Sequence, residues 1–128
     1  MPNYKAAIQT AARLLGEARL VYVFTADGLS AESGLPPFFA DTATYQGLRP
    51  RDLLQEARRK EDPERAWNWV MARRRLVSRH IPNEAHHALA NWTAEHCNTF
   101  VMTGSADGLH QDAQQPGLRQ VAGSIWRR

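Results

Sequence analysis

Between Leu20 and Phe39 the chain reads Leu-Val-Tyr-Val-Phe-Thr-Ala-Asp-Gly-Leu-Ser-Ala-Glu-Ser-Gly-Leu-Pro-Pro-Phe-Phe, and this stretch restricts the fold more than any other. Leu20 to Thr25 is a continuous apolar, β-branched and aromatic run. It is short and bounded by small and polar residues, which predicts a buried parallel strand. Ala26-Asp27-Gly28 predicts a tight turn, and Ser30 the N-cap of a short helix. A strand, a small-residue turn and a helix N-terminus, in that order, form the part of a nucleotide-binding fold that receives phosphates.

The rest of the chain supplies partners for that unit. Tyr4 to about Ala18 is amphipathic, with Tyr4, Ile8, Ala11 and Leu15 in one stripe, and is expected to cover one sheet face. Ala40 to Arg49 lacks periodicity and predicts a loop, with Tyr45 and Leu48 available to dock it. Pro50 opens a short helix carrying Leu53, Leu54 and Ala57 to about Lys60. Asp62-Pro63-Glu64 is a helix start, followed by an apolar face of Trp67, Val70, Met71 and Val77 running towards Ser78. Ile81-Pro82 breaks that helix and Asn83 caps the next, whose stripe is Ala85, Leu89, Trp92 and His96. Thr99 to Thr103 predicts a second strand, Gly108 to about Gln114 a short helix, and Leu118 to Ala122 a third strand. Strands separated by helices imply a parallel sheet with right-handed crossovers. The expected architecture is a partial, Rossmann-like, three-layer α/β fold with a short parallel sheet.

Bulk properties exclude more than they select. A chain of 128 residues predicts one domain. No apolar run is long enough to cross a membrane and no signal-peptide pattern stands at the start, so a soluble, cytoplasmic protein is expected. The net charge of +3 is weak grounds for nucleic acid. Its densest cluster, Arg73-Arg74-Arg75 with Arg79, lies on a helix and points in several directions, as a solvated face does. Histidines 80, 86, 87, 96 and 110 with Cys97 show no metal-ligand spacing, and one cysteine makes no internal disulfide. Ser30 and Ser33 lack the histidine and acid that would activate a nucleophile.

Several motifs in order resemble a known family. Thr25…Gly28-Leu29-Ser30-Ala31-Glu32-Ser33-Gly34-Leu35-Pro36…Phe38 is similar to the first signature of the sirtuins, the NAD-dependent protein deacylases. Pro82-Asn83…His86…Ala88-Leu89 matches the family's connecting helix, Thr103…Asp107-Gly108-Leu109-His110-Gln111 its second signature, and Gly123-Ser124 a third remnant. The resemblance covers nearly the whole chain but about the first half of a sirtuin. The second Rossmann half has no counterpart, and one cysteine cannot supply the family's four-cysteine zinc ribbon; the chain reaches Trp126-Arg127-Arg128 about where that module would begin.

The resemblance implies a cofactor site at Thr25, Ala26, Asp27, Gly28, Ser30, Glu32, Phe38, Thr103, Ser105, Asp107 and His110. Within it the residues that shape the backbone remain, while those that touch the cofactor are exchanged. The family's Gly-Ala-Gly loop is Ala26-Asp27-Gly28 here, which sets a carboxylate where phosphate oxygens would arrive. If Asp27 faces the pocket it opposes a dinucleotide; if it turns outward or caps the following helix, that penalty fades. The Asp-Phe-Arg element is Pro37-Phe38-Phe39, without its cation, and Thr-Gln-Asn-Ile-Asp is Thr103-Gly104-Ser105-Ala106-Asp107. The His110 position is mainly structural in the family. Its general base, a histidine before glycine, is Ala122 here, and a methyl cannot move a proton.

These substitutions predict a sirtuin-like chain without deacylase activity that retains weak binding of NAD or ADP-ribose. Two alternatives remain open. One is an NAD-dependent deacylase or NAD hydrolase whose base comes from His110 or from another chain. The other is a scaffold binding protein or nucleic acid through the basic helices. A half-fold also leaves apolar surface and a sheet edge uncovered, which predicts self-association or a partner protein completing the fold.

Overall fold

A computed structural model describes residues 4–38 and 44–127. Phe39, residues 40–43 of the expected loop, Arg128 and the side chain of Ala57 lie outside the described residues.

The chain runs α1 (Tyr4–Glu17), β1 (Val21–Thr25), α2 (Asp27–Ala31), α3 (Pro50–Leu53), α4 (Glu56–Glu61), α5 (Pro63–Val77), α6 (Glu84–Glu95), β2 (Thr99–Thr103), α7 (Leu109–Asp112) and β3 (Arg119–Gln120). The sheet is parallel, in the order β1-β2-β3. Thr25 pairs with Thr103 and Thr103 with Gln120, so the three strands finish in one row. The α/β class and the parallel sheet are as the sequence predicts.

Two apolar clusters form the core. Leu35, Val77, Ala106, Leu109 and Ile125 make one; Leu53, Ala66 and Trp69 make the other, with Tyr45 and Leu48 docked on it as expected. Phe38 packs against both.

Several expectations are corrected. The α1 helix forms, but it buries none of its residues and so does not cover a sheet face. The first strand is not buried on both sides: β1 lies at the sheet edge, with Tyr22 and Phe24 exposed. The helix after Pro50 is two helices, divided near Leu54 and Gln55. The α5 helix buries Ala66, Trp69, Arg73 and Val77, while Trp67 is exposed. That face escapes a hydrophobicity pattern because it contains an arginine, whose guanidinium donates to Pro36 O at 2.7 Å. Similarly α6 buries His86, Ala90 and Thr93, one position from the predicted stripe. Of the arginine cluster only Arg75 and Arg79 are exposed.

Candidate functional site

The loops leaving the three strands converge on one end of the sheet. The first begins at Ala26, whose extended backbone is the N-cap of α2. Ser30 therefore stands inside that helix rather than capping it, and its hydroxyl is turned to a different task.

That task is a buried polar layer under the loops. Ser30 Oγ and Ser105 Oγ each donate to Asp107 Oδ2 at 2.6 Å, and Leu109 N donates to Oδ1 at 2.9 Å. Burial alone would raise the Asp107 carboxyl; the bonds from Ser105, Ser30 and Leu109 outweigh it and hold it below the ordinary carboxylate range. Beside it, His110 Nε2 meets Thr25 Oγ1 at 2.8 Å. Burial, reinforced by His86, pushes His110 down to about 4 against the pull of Asp107, so its ring is neutral at pH 7. This layer fixes loop geometry and presents no ionisable tip to solvent.

Above it lies a cavity of about 960 Å³, floored by Ala26, Asp27, Gly28, Gly104, Ala122 and Gly123. Its far wall comes from Leu54 and from Ala66, Trp67 and Val70 of α5, with Arg59 and Arg127 contributing cations. Phe38 closes one end, edge-on to Trp69 with ring centroids 4.9 Å apart. Asp27 lines the cavity, but its carboxylate is engaged: Oδ2 accepts the backbone N–H of Phe38 at 2.8 Å. The carboxylate thus clamps the Pro36–Phe38 turn, neither turning outward nor capping α2.

The segment after Gly123 is stitched back over the core. Trp126 Nε1 donates to Asp107 O at 2.6 Å, and Arg74 Nε donates to Ile125 O at 2.5 Å. Gly108, at φ +93°, lies so close that a Cβ there would stand 2.8 Å from Trp126 Nε1. The glycine is required by both its backbone angle and the indole above it.

The residues singled out by sequence therefore divide into two groups. Ala26, Asp27, Gly28 and Phe38 line the cavity, as does Ala122. Thr25, Thr103, Ser105, Asp107, His110 and Ser30 form or adjoin the polar layer beneath it. Glu32 is exposed and belongs to neither. Sequence reasoning missed the α3–α5 wall, because an arginine or valine on a helix carries no signal of which cavity it faces. It also missed the reach of Asn83, whose Nδ2 donates to Leu29 O at 2.7 Å and to Ser33 Oγ at 3.1 Å, tying α6 to the first loop.

A cavity of this size falls within the range that takes cofactors, and the mixture of apolar walls with two cations suits a nucleotide's rings and phosphates. Asp27 is the one group set against it. Residues 26–128 match the Sir2 family. The chain is 39% identical over 110 residues to an NAD-dependent protein deacylase of Ralstonia nicotianae, covering 85% of this chain and 44% of that one. It is 34% identical over 116 residues to NAD-dependent protein deacylase 2 of Pyrobaculum aerophilum, covering 91% and 47%. Among solved structures, a Sir2 homologue–NAD complex superposes with a TM-score of 0.80 at 29% identity, over 91% of this chain and 45% of that one. A mutant Sir2 homologue bound to 2′-O-acetyl ADP ribose gives 0.80 at 30% identity, over 90% and 46%. The chain spans about half the length of the curated relatives it matches.

Proposed function

Because the chain belongs to the Sir2 family, we propose that it binds NAD or its ADP-ribose portion weakly and does not carry out deacylation. One observation carries this reading: the cavity at the strand ends has the size for the cofactor, yet Asp27, Arg59 and Arg127 are the only titratable side chains lining it among the described residues. NAD, when bound, offers a glycosidic carbon from which nicotinamide can leave. The chain's own residues hold rather than activate. Backbone at Ala26–Gly28, with Arg59 and Arg127, would receive phosphate, and Phe38, Trp67 and Val70 would pack against rings. The methyl of Ala122 accepts no proton. His110 is no substitute base, because it does not line the cavity and its Nε2 is committed to Thr25.

Calorimetric titration tests the reading. ADP-ribose should bind weakly to the unaltered chain. Asp27→Asn should tighten it at least about fivefold, the equivalent of about 1 kcal/mol for relieving one like-charge contact in water. Asparagine keeps an acceptor for the Phe38 N–H while removing the charge. Nicotinamide release or lysine-peptide deacylation by the purified chain alone would overturn the proposal.

The span of the match favours a second reading, in which another polypeptide completes an active deacylase. In a doubly wound sheet a dinucleotide lies across two halves, and this chain offers one. Deacylation that appears only when the second half of a relative is added would favour that reading.

A further inference from the structure

We propose that the cavity takes a nucleoside monophosphate, its terminal phosphate held by Arg59 and Arg127 and its base packed against Phe38, Trp67 and Val70. This rests on the reading of the cavity as a nucleotide site and narrows it to one class of ligand. Two parts of the lining can meet phosphate, the Ala26–Gly28 turn on the floor and the two arginines, and charge decides between them. Asp27 sets a negative charge at the turn, and its bond to the Phe38 N–H keeps the carboxylate there. The helix that the turn opens, α2, has five residues and carries that acid in its own first turn. The weak positive end of the helix therefore already has an anion beside it. A phosphate on the floor meets repulsion, and one at the arginines meets attraction.

The two arginines differ from the cations around them. On α4, Arg58 pairs with Glu61 at 3.6 Å and Lys60 with Glu56 at 2.7 Å. Arg59 stands between them in sequence, makes no ion pair among the described residues, and lines the cavity. Arg127 also lacks an acidic partner among the described residues, and the segment that carries it is fastened down. Trp126 Nε1 donates to Asp107 O and Arg74 Nε to Ile125 O. The Arg74 guanidinium lies 5.1 Å from the ring centroid of Trp67 and 5.8 Å from that of Trp126, so it ties the segment to α5. The backbone at Arg127 is thus set in advance, and a ligand need not order it.

The charge count favours a terminal phosphate over a diphosphate bridge. A phosphate monoester carries about 1.5 to 2 negative charges on one group at pH 7. The bridge of a dinucleotide spreads its charge over two phosphates enclosed by sugars. Two arginines match the compact dianion, each guanidinium offering a planar fork to its oxygens. The rest of the lining accounts for the other end of the ligand: Phe38 and Trp67 supply rings on which a base stacks, and Val70 adds aliphatic surface. A ligand with one dianionic end and one flat ring satisfies both and leaves Asp27 no phosphate to oppose.

The test is calorimetric titration of the full chain with adenosine 5′-monophosphate, adenosine, ribose 5-phosphate and ADP-ribose. The monophosphate should bind at least about fivefold tighter than ADP-ribose, and at least about tenfold tighter than adenosine or ribose 5-phosphate. Arg59→Gln and Arg127→Gln alter exposed residues, so circular dichroism should be unchanged. Each should weaken the monophosphate about tenfold more than it weakens adenosine, a difference that a merely structural loss would not produce. Asp27→Asn should narrow the gap between the monophosphate and ADP-ribose, because the charge it removes opposes the diphosphate. If ADP-ribose binds and the monophosphate binds no tighter, this inference falls and the wider nucleotide reading stands. If the monophosphate binds and ADP-ribose does not, the reverse holds. Arginine variants that leave the monophosphate unchanged, or that weaken adenosine equally, would overturn the inference. Titrations in which none of the four ligands binds would remove both.

Discussion

His86 and His110 stand edge to face with ring centroids 5.0 Å apart, both buried, and each has one ring nitrogen without a hydrogen-bond partner. Burial lowers the pKa of both, that of His110 to about 4. The native rings are therefore neutral where the unfolded chain's histidines, titrating near 6.5, take up protons. Between pH 6.5 and 4 the unfolded state binds more protons, so stability is lost as pH falls through that window. Asp107 acts in the same direction lower down: its carboxyl is held below the ordinary value, so its contribution disappears as pH falls below about 4. The expected loss from His110 between pH 7 and pH 4 is on the order of 3 kcal/mol. Urea denaturation of His110→Gln should show a shallower dependence across that interval. An identical slope in the variant would remove the histidine from the account.

At the scale of elements, the joint between α6 and the first loop is the most concentrated. Asn83 Oδ1 accepts from Ala85 N at 3.0 Å and His86 N at 3.3 Å, while its amide holds Leu29 and Ser33. Loss of the cap costs about 1 kcal/mol and loss of the two cross-links about 1 each, so Asn83→Ala should destabilise by roughly 2–3 kcal/mol. Asn83→Ser should recover about 1 kcal/mol, because serine caps but cannot reach α2. Equal denaturation midpoints for the two variants would show that the bridge contributes nothing. The cap itself was legible from Asn83 after Ile81-Pro82, as were Asp62-Pro63 at α5 and the full extent of β2, because those signals are local. What α5 and α6 bury was not, since Arg73 and His86 enter the core through hydrogen bonds to distant residues or caps rather than through hydrophobicity. The start of α2 was missed for a related reason: Ser30 looks like a cap in sequence, but Asp107, far along the chain, takes its hydroxyl. In the candidate site the strand-end loops could be anticipated from their small residues, whereas the Asp27 clamp on Phe38 depends on how a turn folds back.

For the molecule as a whole, the cavity lies on the seam between the two core clusters. Ala106 and Ile125 reach it from one cluster and Ala66 from the other, and Phe38 packs on both. The turn carrying Phe38 is held from two sides, by Arg73 on Pro36 O and by Asp27 on the Phe38 N–H. Arg73 also sits over the ring, 5.4 Å from its centroid. Phe38 therefore bridges the two clusters, as α5 does through Ala66, Trp69 and Val77, and also lines the cavity. Truncating a buried phenylalanine costs about 3–5 kcal/mol, and a half-buried one belongs at or below the lower end, about 2–3 kcal/mol. Loss of coupling has its own signature: Phe38→Ala should lower the urea m-value and broaden the thermal transition, because the cluster around Leu53 and Trp69 then opens before the sheet does. Saturating ADP-ribose should raise the Tm of the unaltered chain by mass action and raise the variant's first transition too, because Leu54, Ala66 and Val70 of the cluster that opens first line the cavity. A variant with an undiminished m-value and one sharp transition would mean that the clusters are joined elsewhere, with Phe38 merely lining the cavity.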